Sequence, residues 1–84
     1  MYTVYVLKSL DFDAIYIGFT SDMELRLISH NHPQNRGWTK RFMPWKIVYS
    51  ETYPTKSAAM NREKQLKSQQ GRKFIRETIL KDNL

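Results

Sequence analysis

The sequence predicts an α+β fold, a small three-stranded antiparallel sheet flanked by helices in the order β-β-α-β-α-α. Two runs rich in β-branched and aromatic residues stand near the N-terminus with a short turn between them, and a third follows a proline in mid-chain. Helix start signals follow the second and third of these runs. A chain of 84 residues has room for one domain, and we expect residues 1–84 to form it.

The first two strands are expected to form a hairpin. Residues Tyr2 to Leu7 carry apolar groups at odd and even positions, which is typical of a strand covered on both faces. After a turn over Leu10 to Asp13, residues Ala14 to Thr20 return beside the first strand. The second strand presents two different faces: one with Ile15, Ile17 and Phe19, and one with Tyr16, Gly18 and Thr20.

A helix is expected to follow at once. The run Ser21 to Glu24 has the pattern of a capping box, in which the Ser21 hydroxyl accepts from a helical N–H and Glu24 reaches back. The helix would run to about Asn31, which places Arg26 and His30 four residues apart on one face. Residues 32–44 are polar, basic and turn-rich, and indicate a long loop or a loop with one short turn.

The rest of the chain predicts a strand and two helices. Trp45 to Thr52 has strand composition, and Thr55 or Ser57 can cap a helix that runs through about Ser68. Gly71 is expected to break that helix. The last helix then spans Arg72 to Leu84. Its predicted packing side consists of Phe74, Ile75, Thr78 and Ile79.

Composition and charge restrict the function. The chain has no cysteine, which excludes disulfides, thiolate metal sites and cysteine nucleophiles, and its apolar runs are too short to span a membrane. Without a basic leader at Met1, we expect no signal peptide and a cytoplasmic location. Fourteen basic residues against eight acidic ones give a net charge of +6. Because residues 25–50 carry five bases and no acid, we expect a polyanionic partner, most often nucleic acid.

Glu63 is the residue most indicative of chemistry. It shares a predicted helix stripe with Ala59, Met60 and Leu66, where a carboxylate loses hydration and needs a compensating group. A salt bridge to one of the many bases, or an exposed rim position, would explain it. One carboxylate is also enough to hold magnesium, which keeps most of its waters.

Other positions carry weaker signals. Tyr5 and Tyr16 favour cross-strand packing, with contact to a phosphate or a water as the alternative. Arg26 is either a solvated helix residue or a phosphate ligand. His30 and His32 do not have the spacing of a zinc site. Trp45 is expected in the core, while Trp38 is either packed or available to stack on bases.

The order Thr3-Val4-Tyr5, Tyr16-Ile17-Gly18, Arg26 and Glu63 resembles the GIY-YIG nuclease family. The resemblance runs from Tyr2 to about Lys73 and includes blocks similar to Pro44–Tyr49 and Arg62–Lys67. It is strongest to small stand-alone members, which resemble the amino-terminal nuclease domain of the excinuclease C protein. Two positions depart from the family: Thr3 replaces a glycine of the signature, and Phe19 stands where the excinuclease type has a lysine.

The resemblance implies a metal-dependent endonuclease that cleaves phosphodiester bonds in nucleic acid, with DNA favoured over RNA as the expected substrate, in DNA repair or processing. It implies that Tyr5 is the general base or a water-positioning group, and that Tyr16 assists it or binds the phosphate. It also implies that Arg26 neutralises transition-state charge, and that His30 is a secondary candidate for phosphate contact or proton transfer. Glu63 would hold one Mg²⁺ or Mn²⁺ ion. The expected nucleic-acid contacts are Arg36, Trp38, Lys40, Arg41, Lys64 and Lys67. The alternatives are a non-catalytic nucleic-acid-binding module that keeps this fold, and a basic adaptor for an acidic protein.

Overall fold

A computed structural model describes residues 1–32, 34 and 37–80, apart from the side chain of Trp38. The predicted fold class is confirmed: helices cover both faces of a three-stranded antiparallel sheet. The elements in chain order are β1 (Tyr2–Ser9), β2 (Ile15–Thr20), α1 (Met23–Asn31), a 3₁₀ helix (Trp38–Phe42), β3 (Trp45–Tyr53), α2 (Lys56–Lys67), α3 (Gln69–Phe74) and a π-helical segment (Ile75–Ile79). No helix in the described part of the chain is long and apolar enough to cross a membrane.

Strand β1 is the centre of the sheet, with β2 and β3 antiparallel on either side. This position explains why its apolar residues point both ways. Val4 and Val6 face one layer, where helices α2, α3 and the π-helical segment bury residues such as Leu66. Tyr5 and Leu7 face the other layer, formed by α1, the 3₁₀ helix and the buried Trp45.

The start of α1 differs from the predicted capping box. The N-cap is Asp22, whose carboxylate accepts from the N–H of Leu25 at 3.1 Å, so Ser21 lies outside the helix. Thr20 holds the turn in place, because its hydroxyl bonds to the backbone of Asp22. A carboxylate at this position also interacts favourably with the helix dipole, which gives Asp22 an advantage over a neutral serine.

The C-terminal helices also differ from the prediction. Ser68, not Gly71, ends α2, and the hydroxyl of Ser68 then caps α3 by accepting from the N–H of Gly71. Gly71 lies inside α3 because its backbone approaches α2 closely. A Cβ there would stand 2.1 Å from the carbonyl oxygen of Gln65. The predicted packing side is right for Ile75 and wrong for Thr78, which is exposed.

Helix α2 is fixed to the sheet by a carboxylate on β3. Glu51 pairs with Arg62 at 3.0 Å and accepts hydrogen bonds from the hydroxyls of Tyr49 and Tyr53. The predicted stripe of α2 is buried at Ala59 and Leu66, whereas Met60 is exposed. The register of α2 on the sheet therefore depends on a polar clamp as well as on apolar packing.

Candidate active site

The two tyrosines of the signature lie on the same face of the sheet. Tyr5 is opposite Gly18 in the β1–β2 pairing and Leu7 is opposite Tyr16, so the tyrosines are diagonal neighbours. Their ring centroids are 6.1 Å apart and their planes are inclined by 27°. Tyr5 is 1% exposed, whereas Tyr16 on the edge strand is half-buried. This arrangement places one phenol inside the protein and the other at its surface.

Gly18 leaves the space that the two rings need. A Cβ at this position would stand 2.7 Å from the hydroxyl oxygen of Tyr5 and 3.0 Å from a ring carbon of Tyr16. Any side chain would therefore displace one or both tyrosines. The glycine is required by this close approach.

His30 joins the tyrosine pair from the last turn of α1. Its Nε2 atom lies 3.1 Å from the hydroxyl oxygen of Tyr5, and its Nδ1 atom lies 3.0 Å from the hydroxyl oxygen of Thr39. The His30 ring also contacts the ring of Tyr16, with centroids 4.6 Å apart. Tyr5, His30 and Thr39 are all more than nine-tenths buried. They form a continuous hydrogen-bonded chain from the sheet to the 3₁₀ helix.

The electrostatic surroundings fix the protonation of this chain. Burial raises the pKa of Tyr5 well above its ordinary value; Tyr16 and the Glu63 carboxylate raise it further, and the Arg26 guanidinium acts in the opposite direction. Burial, followed by the Arg26 charge, lowers the pKa of His30. At neutral pH, Tyr5 is therefore a phenol and His30 a neutral imidazole. The charge of Arg26 lowers the pKa of Tyr5 by less than burial raises it, so Tyr5 keeps its proton.

The charge of Glu63 acts on Tyr5 from a helix that lies on the other face of the sheet. Its helix, α2, packs against the side of β1 opposite to Tyr5, yet the Glu63 charge acts on the Tyr5 hydroxyl. The Glu63 side chain is 19% exposed and pairs with Lys67 at 3.4 Å. Glu63 is thus neither fully buried nor directed into bulk solvent, and its counterion is a lysine side chain that is 48% exposed.

The donor set near Glu63 fits one hard divalent cation. Within residues 1–32, 34 and 37–80, no group of three or more His, Cys, Asp or Glu side chains could hold a metal. Magnesium does not need such a cage, because it keeps several waters and takes one or two carboxylates together with substrate phosphates. A single, partly exposed carboxylate whose charge acts on Tyr5 is compatible with that mode of binding.

The predicted nucleic-acid contacts are spread over two elements. Lys40 and Arg41 are exposed on the 3₁₀ helix that also supplies Thr39, and Lys64 and Lys67 are exposed on α2. Arg36 and the side chain of Trp38 lie outside the described residues.

The sequence interpretation missed the cleft beside the edge strand. This cleft, of about 410 Å³, has Tyr16 in its wall together with three bases, Lys67, Arg72 and Arg76. The excess of basic residues in the last third of the chain was the available signal for Arg72 and Arg76. Thr39 was also missed, since a threonine in a polar loop carries no signal of its own.

A three-stranded sheet with a tyrosine on each strand of its hairpin, an arginine on the next helix and a glutamate on a later one defines a GIY-YIG domain. The family model described as "GIY-YIG catalytic domain" matches residues 1–76, and the chain belongs to this family. Among curated proteins it is similar to a UPF0213 protein of Staphylococcus epidermidis, with 40% identity over 77 residues that cover 88% of this chain and 93% of the relative.

Two further comparisons agree with that assignment. A UPF0213 protein of Staphylococcus saprophyticus is 38% identical over 65 residues, which cover 77% of this chain and 78% of the relative. The solution NMR structure of the UPF0213 protein BH0048 from Bacillus halodurans has a TM-score of 0.52 and 26% identity, covering 88% of this chain and 80% of that one. The family resemblance predicted from the sequence is confirmed.

Proposed function

We propose that this protein is a divalent-metal-dependent endonuclease that hydrolyses phosphodiester bonds in nucleic acid, in DNA rather than RNA. We further propose that residues 1–84 act as one domain, in the cytoplasm, in repair or processing. The observation that carries the proposal is the buried hydrogen bond between Tyr5 and His30, with the charges of Arg26 and Glu63 both acting on Tyr5. A buried structural tyrosine needs one hydrogen-bond partner, but it does not need charges of both signs acting on its hydroxyl as well.

The Tyr5–His30 pair supplies the base. His30 Nε2 takes the phenolic proton as the Tyr5 hydroxyl takes a proton from the attacking water, so a phenolate never has to exist alone in a buried place. The water oxygen attacks phosphorus, and the bond to the leaving oxygen breaks. The leaving oxygen takes a proton from solvent water, and the extra proton on His30 returns through the Tyr5 hydroxyl to solvent, which restores the neutral imidazole.

The remaining residues act on the charge that develops at phosphorus. The guanidinium of Arg26 offers a planar set of donors suited to a non-bridging phosphate oxygen. Tyr16 contacts the same phosphate through its hydroxyl at the surface of the site. Glu63 would hold a magnesium or manganese ion, which would supply Lewis-acid stabilisation of the negative charge that develops in the reaction.

Basic residues on both sides of the tyrosines would position the substrate. Lys40 and Arg41 follow Thr39 on the 3₁₀ helix, and Arg72 and Arg76 line the cleft next to Tyr16. Phosphate contacts of this kind fix the register of a strand without reading its sequence. We therefore propose that target selection depends little on base identity.

Nicking of supercoiled plasmid by the purified protein, with Mg²⁺ or Mn²⁺ and with chelator, tests the proposal. We expect metal-dependent nicking by the wild type and a loss of at least about 100-fold in Glu63→Ala and Arg26→Ala. Glu77→Ala, which removes an exposed glutamate of the π-helical segment, is the matched control and should retain activity. Equal rates in wild type and Glu63→Ala across metals would overturn the enzymatic assignment. Salt-dependent DNA binding insensitive to chelator and to Glu63→Ala, without nicking, would identify a binding module instead.

A further inference from the structure

We propose that Thr39 is a positioning residue that fixes the tautomer of His30, holding the ring proton on Nδ1 so that Nε2 accepts the proton of Tyr5. The inference deepens the proposed function and rests on it for its catalytic meaning. The tautomer itself is a property of the folded protein and is measured without any substrate.

Two arrangements of protons satisfy the hydrogen-bonded chain. In the first, the Tyr5 hydroxyl donates to Nε2 and the Nδ1–H group donates to the hydroxyl oxygen of Thr39. In the second, Nε2–H donates to Tyr5 and the Thr39 hydroxyl donates to Nδ1. A neutral imidazole has one donor and one acceptor nitrogen. The direction of the hydrogen bond between His30 and Thr39 therefore fixes the direction of the hydrogen bond between His30 and Tyr5.

Hydrogen-bond strength favours the first arrangement. It pairs the most acidic neutral donor of the chain, the phenol, with the most basic acceptor, an imidazole nitrogen. An imidazole N–H donates in both arrangements, so they differ in the hydroxyl that donates to the ring: the phenol of Tyr5 in the first, and the less acidic aliphatic hydroxyl of Thr39 in the second, where Tyr5 is left to donate to Tyr16. In a buried chain this difference in pairing is little screened by solvent. The first arrangement is also the one in which His30 can accept a proton during catalysis.

Thr39 is held in place by a series of hydrogen bonds that leads through Trp45 back to α1, the helix that carries His30. The indole N–H of Trp45 donates to the carbonyl oxygen of Thr39 at 2.8 Å. The side chain of Asn31 in turn bonds to both the backbone N–H and the carbonyl oxygen of Trp45. The neighbours His30 and Asn31 thus bond to the Thr39 hydroxyl and to the backbone of Trp45, the residue whose indole holds the Thr39 carbonyl oxygen, so these contacts tie the 3₁₀ helix to α1.

The chain contains an internal control for this measurement. His32, the second of its two histidines, is exposed and accepts at Nδ1 from the backbone N–H of Gln34 at 3.0 Å. Its neutral form therefore carries the proton on Nε2, the opposite of the arrangement proposed for His30. One spectrum should show the two histidines as opposite tautomers.

Long-range proton–nitrogen NMR on protein labelled with ¹⁵N-histidine, recorded at the alkaline end of a pH series where the histidine shifts no longer change, tests the inference. His32→Gln assigns the signals. In the wild type we expect His30 to show a protonated Nδ1 and an unprotonated Nε2. Thr39→Val, which keeps the shape but removes the hydroxyl, should move both His30 nitrogen shifts towards the other tautomer, and Thr39→Ser should restore them.

The catalytic arm follows nicking in the same variants. We expect Thr39→Val to lower kcat at least about tenfold with KM for DNA unchanged, and Thr39→Ser to recover most of that loss. A wild-type His30 protonated on Nε2, or a tautomer unmoved by Thr39→Val, would overturn the inference even if the enzyme is active. The expected tautomers without any nicking would instead refute only the proposed nuclease. If Thr39→Val does not fold, the wild-type and Thr39→Ser spectra still decide the tautomer.

Discussion

Gly18→Ala should inactivate the candidate site without removing any of the groups proposed to act in catalysis. The new Cβ would stand 2.7 Å from the hydroxyl oxygen of Tyr5, about 0.7 Å closer than ordinary contact, and 2.9 Å from the adjacent ring carbon. Tyr5 is fully buried and cannot rotate into solvent, so its ring has to shift against His30. A misplacement of this order costs about 100-fold in rate. Overpacking should also lower the free energy of unfolding by about 1–3 kcal/mol.

A double-mutant cycle separates this clash from a general loss of stability. Tyr5→Phe removes the atom closest to the new Cβ, so Gly18→Ala should cost less stability in the Tyr5→Phe background than in the wild type. We expect a coupling free energy of at least about 0.5 kcal/mol in urea unfolding at constant m-value. Activity should remain absent in the double variant. Wild-type stability and nicking rate in Gly18→Ala would refute the reasoning. So would an equal loss in the free energy of unfolding from Gly18→Ala in the wild-type and Tyr5→Phe backgrounds.

Three further predictions test other parts of the structure. Lys67→Gln should tighten Mn²⁺ binding about twofold in calorimetry, because it removes the counterion 3.4 Å from Glu63; unchanged or weaker binding would contradict the site. Gly71→Ala should lower the free energy of unfolding by about 1–3 kcal/mol while the NMR signals of His30 stay in place, since its Cβ would meet only the backbone of α2. Burial raises the pKa of Glu51, but hydrogen bonds from Arg62, Tyr49 and Tyr53 outweigh it and bring the pKa below the ordinary 4.5. The stabilisation from Glu51 is therefore complete above pH 4.5 and disappears as pH falls through the lower folded pKa, and acid unfolding curves of Glu51→Gln should lack that loss.

Local sequence patterns were enough for the elements of the fold. Alternation in β2 and the two-sided composition of β1 predicted their faces, because burial in this sheet follows the side-chain period. The wrongly predicted boundaries of elements lie at helix ends. Several polar residues can cap a helix, and the choice between Ser21 and Asp22 depends on the turn geometry that Thr20 imposes. Gly71 was misplaced because a glycine that permits close helix contact looks the same in sequence as one that ends a helix.

The sequence predicted which residues belong to the candidate site, but not the contacts between them. The family signature pointed to Tyr5, Tyr16, Arg26 and Glu63, but the hairpin register that brings the tyrosines to one face is a tertiary property. The role of Thr39 comes from a contact across the chain between a loop and a helix end, and no spacing rule reports it. The raised pKa of Tyr5 also required the structure, since burial outweighs the nearby guanidinium.

The central position of β1 has a practical consequence. The strand separates two apolar clusters. Val4 and Val6 belong to the larger one, whereas Tyr5 and Leu7 belong to the smaller one, which also has Tyr16 packed against it. Substitutions that improve packing in the larger cluster can therefore make the protein more robust to heat while the reactive side is left as it is. The charge of Glu63 on α2 acts on Tyr5 across this strand, so thermostabilising libraries should spare that helix, and within α3 they should keep Gly71 and Arg72.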